Sequence, residues 1–174
     1  MEIIGTLNSR QIYYCKVRAD ENWFEELPVK NWIAFTIANN NDNSLIQDIA
    51  VKCLSKEVSS VCCAGQLASI TEDFFVDEIV QNNIQKEQLG ESGDEDSSPM
   101  LTFHSNFSEG FWFAAFSLYP SICDRYLDID KIICIDITNE GVKKHLINLI
   151  KEFESGGSPS DTEIEEPVYD SFFS

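Results

Sequence analysis

Short apolar runs and helically spaced apolar residues follow one another along the chain, which predicts alternating strands and helices. Apolar runs of strand length, typical of strands covered on both faces, occupy 31–38, 58–64 and 131–138, and 100–104 is predicted to be a short strand. After each run apolar residues recur at helical spacing, in 44–57, 71–86, 107–119 and 140–153. Four such units indicate parallel strands joined by right-handed crossovers.

Two further strands are predicted before the first unit. Residues 2–7 and 11–18 have strand composition, and the turn-forming residues 8–10 (NSR) join them. We expect this hairpin to extend one edge of the sheet. The predicted fold class is therefore α/β: a three-layer sandwich with a mainly parallel sheet of four β-α units and an N-terminal β-hairpin at the edge.

The chain is predicted to form one α/β domain over 1–154 and a flexible tail over 155–174. The only linker-like break is 155–159 (SGGSP). Within the domain, 87–99 interrupts the alternation with clustered acid, glycines and a proline. This composition predicts a mobile acidic loop.

Acidic residues outnumber basic ones by thirty to twelve, which gives a formal net charge of −18. Residues 154–174 hold six acids and 87–98 hold five, and neither segment holds Lys or Arg. Subtracting these eleven charges leaves −7 for the rest of the chain. Such a charge repels phosphate backbones and anionic lipid and attracts basic surfaces. We therefore expect a basic protein partner, and neither direct nucleic-acid nor membrane binding.

The six cysteines lie in apolar runs and lack the paired CxxC spacing of a zinc or redox site. They are predicted to be reduced and buried, as in a cytoplasmic protein. The N-terminus has no signal-peptide pattern, and no apolar stretch reaches the length of a membrane span. The expected location is the cytoplasm.

Motifs for cofactors and metals are missing from the sequence. No GxGxxG follows a predicted strand, and no GxxxxGK[ST] occurs, so no nucleotide cofactor is expected. His104 and His145 are the only histidines, and His145 is predicted to be solvated among the lysines of the last helix. Asp73 and Asp77 share a helix face, which we interpret as a water-facing surface. No metal site is predicted.

A cysteine-dependent site is the enzymatic alternative. Cys62 or Cys63 near one strand end, His104 at another, and Asp73 or Glu72 would supply nucleophile, base and orienting acid. Adjacent strand residues point to opposite faces, so only one of the two cysteines can serve. A nucleophilic thiol also requires a cationic or dipolar neighbour, and the chain offers few bases.

Exposed aromatic residues are the other candidate binding groups in the domain. The predicted helix 107–119 is apolar nearly all round, so its outer side with Trp112 either packs inside the protein or covers a partner. Trp23 and Phe24 form a second candidate apolar patch.

The tail combines acid with aromatic rings, as docking segments do, since charge steers the segment and rings anchor it. It resembles the acidic tail by which single-stranded-DNA-binding proteins recruit partners, although no basic DNA-binding domain accompanies it here. Folding back onto the domain and remaining unbound are the alternatives. The candidate partner-binding residues are Glu163, Glu165, Glu166, Tyr169, Asp170, Phe172 and Phe173 in the tail, Asp94, Glu95 and Asp96 in the loop, and Trp112.

Four stretches carry a family resemblance: NWIAFTIA, VCCAG followed by FVDEIV, TFHSN and KIICIDIT, within about residues 30–150. Over this region the chain resembles a functionally uncharacterised family of small acidic bacterial α/β proteins. The resemblance implies the domain boundaries and a bacterial or phage origin, and it implies no activity or partner.

These features together predict a non-enzymatic acidic protein-binding module. Its expected role is that of an inhibitor, immunity protein, antitoxin or accessory subunit of a basic partner, related to bacterial or phage defence. The alternative is a small cysteine-dependent hydrolase or transferase that uses Cys62 or Cys63 with His104.

Overall fold

The computed structural model describes residues 1–18, 22–39, 43–90, 98–118, 129–138 and 141–159. The six strands are β1 (Glu2–Leu7), β2 (Arg10–Lys16), β3 (Trp32–Ile37), β4 (Ser60–Ala64), β5 (Met100–His104) and β6 (Lys131–Asp136). The four α-helices are α1 (Asn43–Ser55), α2 (Ala68–Gln88), α3 (Phe107–Phe116) and α4 (Lys143–Glu154), and a short 3-10 helix spans Trp23–Glu26. The predicted alternation of strand and helix is confirmed.

The strands form one sheet in the order β1-β2-β6-β3-β4-β5. β1 and β2 are antiparallel, and all other neighbours are parallel. Asn8 and Ser9 both have positive φ in the turn between β1 and β2, the backbone shape that suits a two-residue hairpin. The N-terminal hairpin therefore extends one edge of a mainly parallel sheet, as predicted.

Helices cover both faces of the sheet and bury a separate core on each. Phe35, Cys62 and Cys134 pack with α3 and α4 on one face. Ala34 and Cys63 pack with α1 and α2 on the other. Because neighbouring residues of a strand point to opposite faces, a continuous apolar run supplies both cores at once.

The helices change face where the chain reverses its direction across the sheet. Strands β3, β4 and β5 are added one after another in one direction across the sheet. The chain then crosses back over β4 and β3 and adds β6 on the opposite side of β3. Right-handed crossovers put helices on opposite faces for the two directions of travel. The carboxyl ends of β3 and β6 therefore flank the switch point, where ligands of open parallel sheets usually bind.

Arg10 ties the hairpin to the end of α3. Its guanidinium is buried and donates to the carbonyl oxygens of Ala114 at 2.8 Å, Ala115 at 3.0 Å and Leu118 at 2.7 Å. The Asn8 amide donates to the Ala115 oxygen at 2.9 Å. These cationic and polar donors satisfy carbonyls that a helix C-terminus leaves open.

Two predictions about surface residues are wrong. Trp23 is only 5% exposed, and the Lys52 ammonium lies 5.1 Å from the centre of its ring, so Trp23 belongs to the core. Phe24 is half-buried beneath Lys56. His145 is half-buried against the ring of Phe107, with ring centres 5.1 Å apart, because the face of α4 that carries it packs toward α3.

Candidate functional site

Asp136 occupies the carboxyl end of β6, beside the switch point of the sheet, and is fully buried. Its Oδ1 accepts hydrogen bonds from the backbone N–H of Thr138 at 2.8 Å and from the Thr138 hydroxyl at 2.6 Å. The ammonium of Lys16 lies 3.3 Å from the same oxygen. Local polar donors and one cation thus compensate the burial of this carboxylate.

The second carboxylate oxygen of Asp136 holds two other elements. It accepts from the Tyr14 hydroxyl at 2.6 Å, on β2, and from the backbone N–H of Val142 at 3.0 Å, just before α4. Burial, and then the hydrogen bond to Asp136, raise the pKa of Tyr14. Gly141 has positive φ, and a Cβ on it would lie 3.3 Å from the Tyr14 oxygen. The close backbone approach favours glycine here.

The Asp136 cluster therefore acts as an internal anchor. Five donors converge on one carboxylate, so its acceptor capacity is used within the protein. The cluster joins β2, β6 and the start of α4 at the sheet end where a ligand of this architecture would sit. The sequence places Asp136 at a strand end, but nothing in the pattern identifies its partners.

Cys62 and His104 lie on the same face of the sheet, on adjacent strands. In the β4–β5 register, Cys62 is opposite Thr102 and Ala64 is opposite His104. The Cys62 thiol is fully buried, and it donates to the carbonyl oxygen of Gly110 at 3.4 Å. Burial raises the pKa of Cys62 to about 12. A thiol in this environment stays protonated and poorly nucleophilic near neutral pH.

His104 has an acidic neighbour, Glu109, that no pattern in the sequence identifies. Its Nδ1 lies 3.9 Å from a carboxylate oxygen of Glu109, and its ring packs on Phe113 with centres 4.9 Å apart. Burial lowers the pKa of His104, and Glu109 partly opposes that shift. Glu109 is placed by the first turn of α3, where the Asn106 side chain accepts its backbone N–H at 2.9 Å.

The other members of the proposed catalytic set, Cys63 and the α2 acids Asp73 and Glu72, lie elsewhere. Cys63 faces α1 and α2, on the opposite side of the sheet from His104. Burial raises its pKa as well. Asp73 is exposed on α2, which covers that same opposite face. The structure therefore brings Cys62, His104 and Glu109 to one face and leaves Cys63 and Asp73 on the other.

The burial of the thiols leads to a labelling prediction. Five cysteines of the described residues are buried: Cys15, Cys53, Cys62, Cys63 and Cys134. In a Cys123→Ser background, which removes the sixth thiol, we expect no labelling by a thiol-specific disulfide reagent at pH 7.5 within an hour. Addition of denaturant should release all five thiols. Rapid reaction of one native thiol, mapped to Cys62, would instead indicate an activated nucleophile.

Acidic side chains of the described residues do not assemble into a metal site, since no group of three or more His, Cys, Asp or Glu residues has suitable geometry among them. Asp73 and Asp77 are both exposed on α2, which agrees with their interpretation as a water-facing surface. Within the described part of the chain, no helix is both long and apolar enough to cross a bilayer.

Most of the predicted partner-binding residues lie outside the described residues. These are Asp94, Glu95 and Asp96 in the loop and Glu163, Glu165, Glu166, Tyr169, Asp170, Phe172 and Phe173 in the tail. Trp112 is described: it is half-buried, packs against the core that α3 and α4 share, and stacks on Phe116 with ring centres 5.4 Å apart. Phe111 of the same helix is fully buried, so α3 packs one side into the core.

Comparison of the sequence with known protein families places the chain in one of them. Residues 12–153 match the family described as Domain of unknown function (DUF7684), which covers the sheet from β2 onward and nearly all of α4. The chain belongs to this family. No curated protein matches the sequence.

Proposed function

We propose that this protein is an acidic protein-binding module that acts on a basic partner protein, as an inhibitor, immunity protein, antitoxin or accessory subunit. The observation that carries the proposal is the net charge of −18, with eleven acids and no base in the two segments 87–98 and 154–174. A charge of this size speeds encounter with a cationic surface and opposes encounter with nucleic acid.

The burial of the reactive groups supports binding over catalysis. The thiols of Cys62 and Cys63 are fully buried, and burial raises the pKa of both. The carboxylate oxygens of Asp136 accept hydrogen bonds from donors within the protein. The acids of α2, by contrast, include the solvent-exposed Asp73 and Asp77, where a partner can reach them.

Deleting the tail tests its part in this function. The protein that co-purifies with the intact chain from the native host would be identified, produced separately and titrated with intact chain and with a variant lacking 155–174. The deletion removes five acids and the apolar or aromatic side chains of Ile164, Val168, Tyr169, Phe172 and Phe173, which suit docking. We expect affinity at low salt to fall about tenfold, or about 1.4 kcal/mol. Affinity equal to that of the intact chain would exclude the tail as a binding element.

One observation favours a second candidate, the cysteine-dependent hydrolase or transferase. Cys62, His104 and Glu109 lie on one face of the sheet. Their side chains are of the types that supply the nucleophile, the base and the acid in such chemistry. This function requires a rearrangement that exposes Cys62, which donates to Gly110 in the interior. The labelling experiment described above separates the two candidates.

A further inference from the structure

Helix α2 is longer than the part of the sheet that it covers. It has 21 residues and therefore a length of about 31 Å. Strands β4 and β5 have five residues each and span about 17 Å. The buried residues of α2 are Ala68, Thr71 and Phe75, all in its first half. No residue of α2 after Phe75 is fully buried.

A stripe of apolar residues lies on the exposed side of α2. Val76, Val80 and Ile84 follow one another at four-residue spacing, and they are 42%, 48% and 43% exposed. Residues four apart on a helix are neighbours, so the three side chains form one continuous surface, which we call the α2 stripe. Leu89 is also 76% exposed, just after the helix end, but it lies about 140° around the helix axis from Ile84 and is not part of the stripe.

Acidic side chains border the α2 stripe. Asp73 and Asp77 are exposed and lie three residues before Val76 and Val80, on the adjacent line of the helix surface. In total α2 carries five acids and one base, Lys86. An apolar line edged by carboxylates is complementary to an amphipathic helix with a cationic rim.

A second copy of the chain fits this surface poorly. α2 has a net charge of −4, so two copies packed through their stripes would bring eight surplus negative charges into one interface. Like charges across an interface cost several kcal/mol unless they are compensated. The charge of α2 therefore favours a basic occupant.

We propose that the α2 stripe is the docking surface for a basic amphipathic helix of the partner protein. This inference rests on the proposed function and deepens it, because it assigns the contact to described residues of the domain. The apolar side of the partner helix covers Val76, Val80 and Ile84, and its Lys or Arg residues face Asp73 and Asp77.

The test uses a fluorescently labelled amphipathic peptide of about 20 residues, with Leu on one helical face and Lys on the other. A peptide of the same composition but scrambled order, and one with Gln in place of Lys, are the comparison probes. Binding is followed by anisotropy for wild type and for the variant Val76→Gln/Val80→Gln/Ile84→Gln. Gln keeps helix propensity, and the replaced side chains are exposed, so the variant should keep the fold.

We expect the Lys/Leu peptide to bind wild type at least about tenfold more tightly than it binds the triple variant. Val51→Gln is the matched control, since Val51 is 40% exposed on α1, and it should retain wild-type affinity. Asp73→Asn/Asp77→Asn should weaken binding about threefold and reduce its salt dependence. The scrambled peptide should not distinguish wild type from the triple variant.

Three results would overturn the inference. Equal peptide affinity of wild type and triple variant would remove the α2 stripe as the docking surface, while the proposed function would stand if the tail deletion weakens binding of the co-purified partner. Tighter binding of the Gln-containing peptide would contradict the charge argument and the proposed function together. A wild-type dimer in sedimentation that the triple variant converts to monomer would identify a second copy as the occupant.

Discussion

Replacing Asp136 with alanine is expected to lower the free energy of unfolding by about 3–5 kcal/mol. The substitution removes a fully buried carboxylate and leaves the Tyr14 hydroxyl and the backbone N–H groups of Thr138 and Val142 without their acceptor, while the Lys16 ammonium keeps, among the described residues, only the oxygens of Thr138. Unpaired polar groups in the interior retain their desolvation cost. The loss would be a large part of the total stability of an ordinary domain, about 5–15 kcal/mol.

Urea unfolding followed by circular dichroism at 222 nm measures this loss. Asp136→Asn keeps the size and one acceptor oxygen, so we expect a smaller loss of about 1.5–3 kcal/mol. Asp130→Ala is the matched control because Asp130 is exposed, and among the described residues its carboxylate pairs with Lys131 alone, at 3.2 Å. The substitution should change stability by about 0.5 kcal/mol or less. Equal stability of Asp136→Ala and Asp130→Ala would show that the cluster is not an anchor.

Replacing Gly65 with alanine is expected to cost about 2–5 kcal/mol. Gly65 directly follows β4 with φ +107°, and a Cβ there would lie 2.3 Å from the carbonyl oxygen of Ala38. That oxygen already accepts the backbone N–H of Leu67 at 3.1 Å, so it is held in place. The cost combines about 1–2 kcal/mol for an unfavourable backbone conformation with about 1–3 kcal/mol for overpacking.

Gly90→Ala separates these two contributions. Gly90 also has positive φ, at +75°, but a Cβ on it would meet none of the described residues within 4 Å. Gly90→Ala should therefore lower the free energy of unfolding only through the unfavourable backbone conformation, by about 1–2 kcal/mol or less at a helix end. Chemical denaturation of both variants gives the comparison. If the free energies of unfolding of Gly65→Ala and Gly90→Ala fall by amounts that differ by less than about 0.5 kcal/mol, the close approach of Gly65 to Ala38 does not contribute to the cost of the substitution.

The sequence predicts the architecture well because strands and helices here differ in hydrophobic period. The runs 31–38 and 131–138 are apolar on both sides, and both become central strands, β3 and β6, covered by helices on each face. Helix α2 is longer than predicted, 68–88 against 71–86. Its outer apolar residues blur the periodicity that marks an amphipathic helix.

Side-chain environments were harder to predict because they depend on contacts between distant parts of the chain. Asp136 meets Tyr14 from 122 positions earlier, and Arg10 meets Ala114 across 104 positions. No local pattern specifies such pairs. His145 was predicted to be solvated from its lysine neighbours, but helical geometry turns its ring toward Phe107. Trp23 lies in a segment without strand or helix periodicity, and a short 3-10 helix carries it into the core.

The candidate catalytic set was only partly predictable for the same reason. Strand alternation correctly limits the choice to one of Cys62 and Cys63, since their side chains face opposite cores. Strand alternation does not show which helix packs on each face of the sheet. Glu109, close to His104, is identified only when α3 is placed. The residues of the loop and tail that were predicted to bind a partner stay predictions.

The central claim is that negative charge guides this protein to a basic partner, and the association rate constant tests it most directly. It would be measured by stopped-flow fluorescence for the intact chain and its co-purified partner, from 50 to 500 mM salt. Steered association is fast at low salt and slows steeply as charges are screened. We predict a decrease of at least about tenfold over this range. A rate constant that changes by less than about twofold, or that rises with salt, would contradict the account.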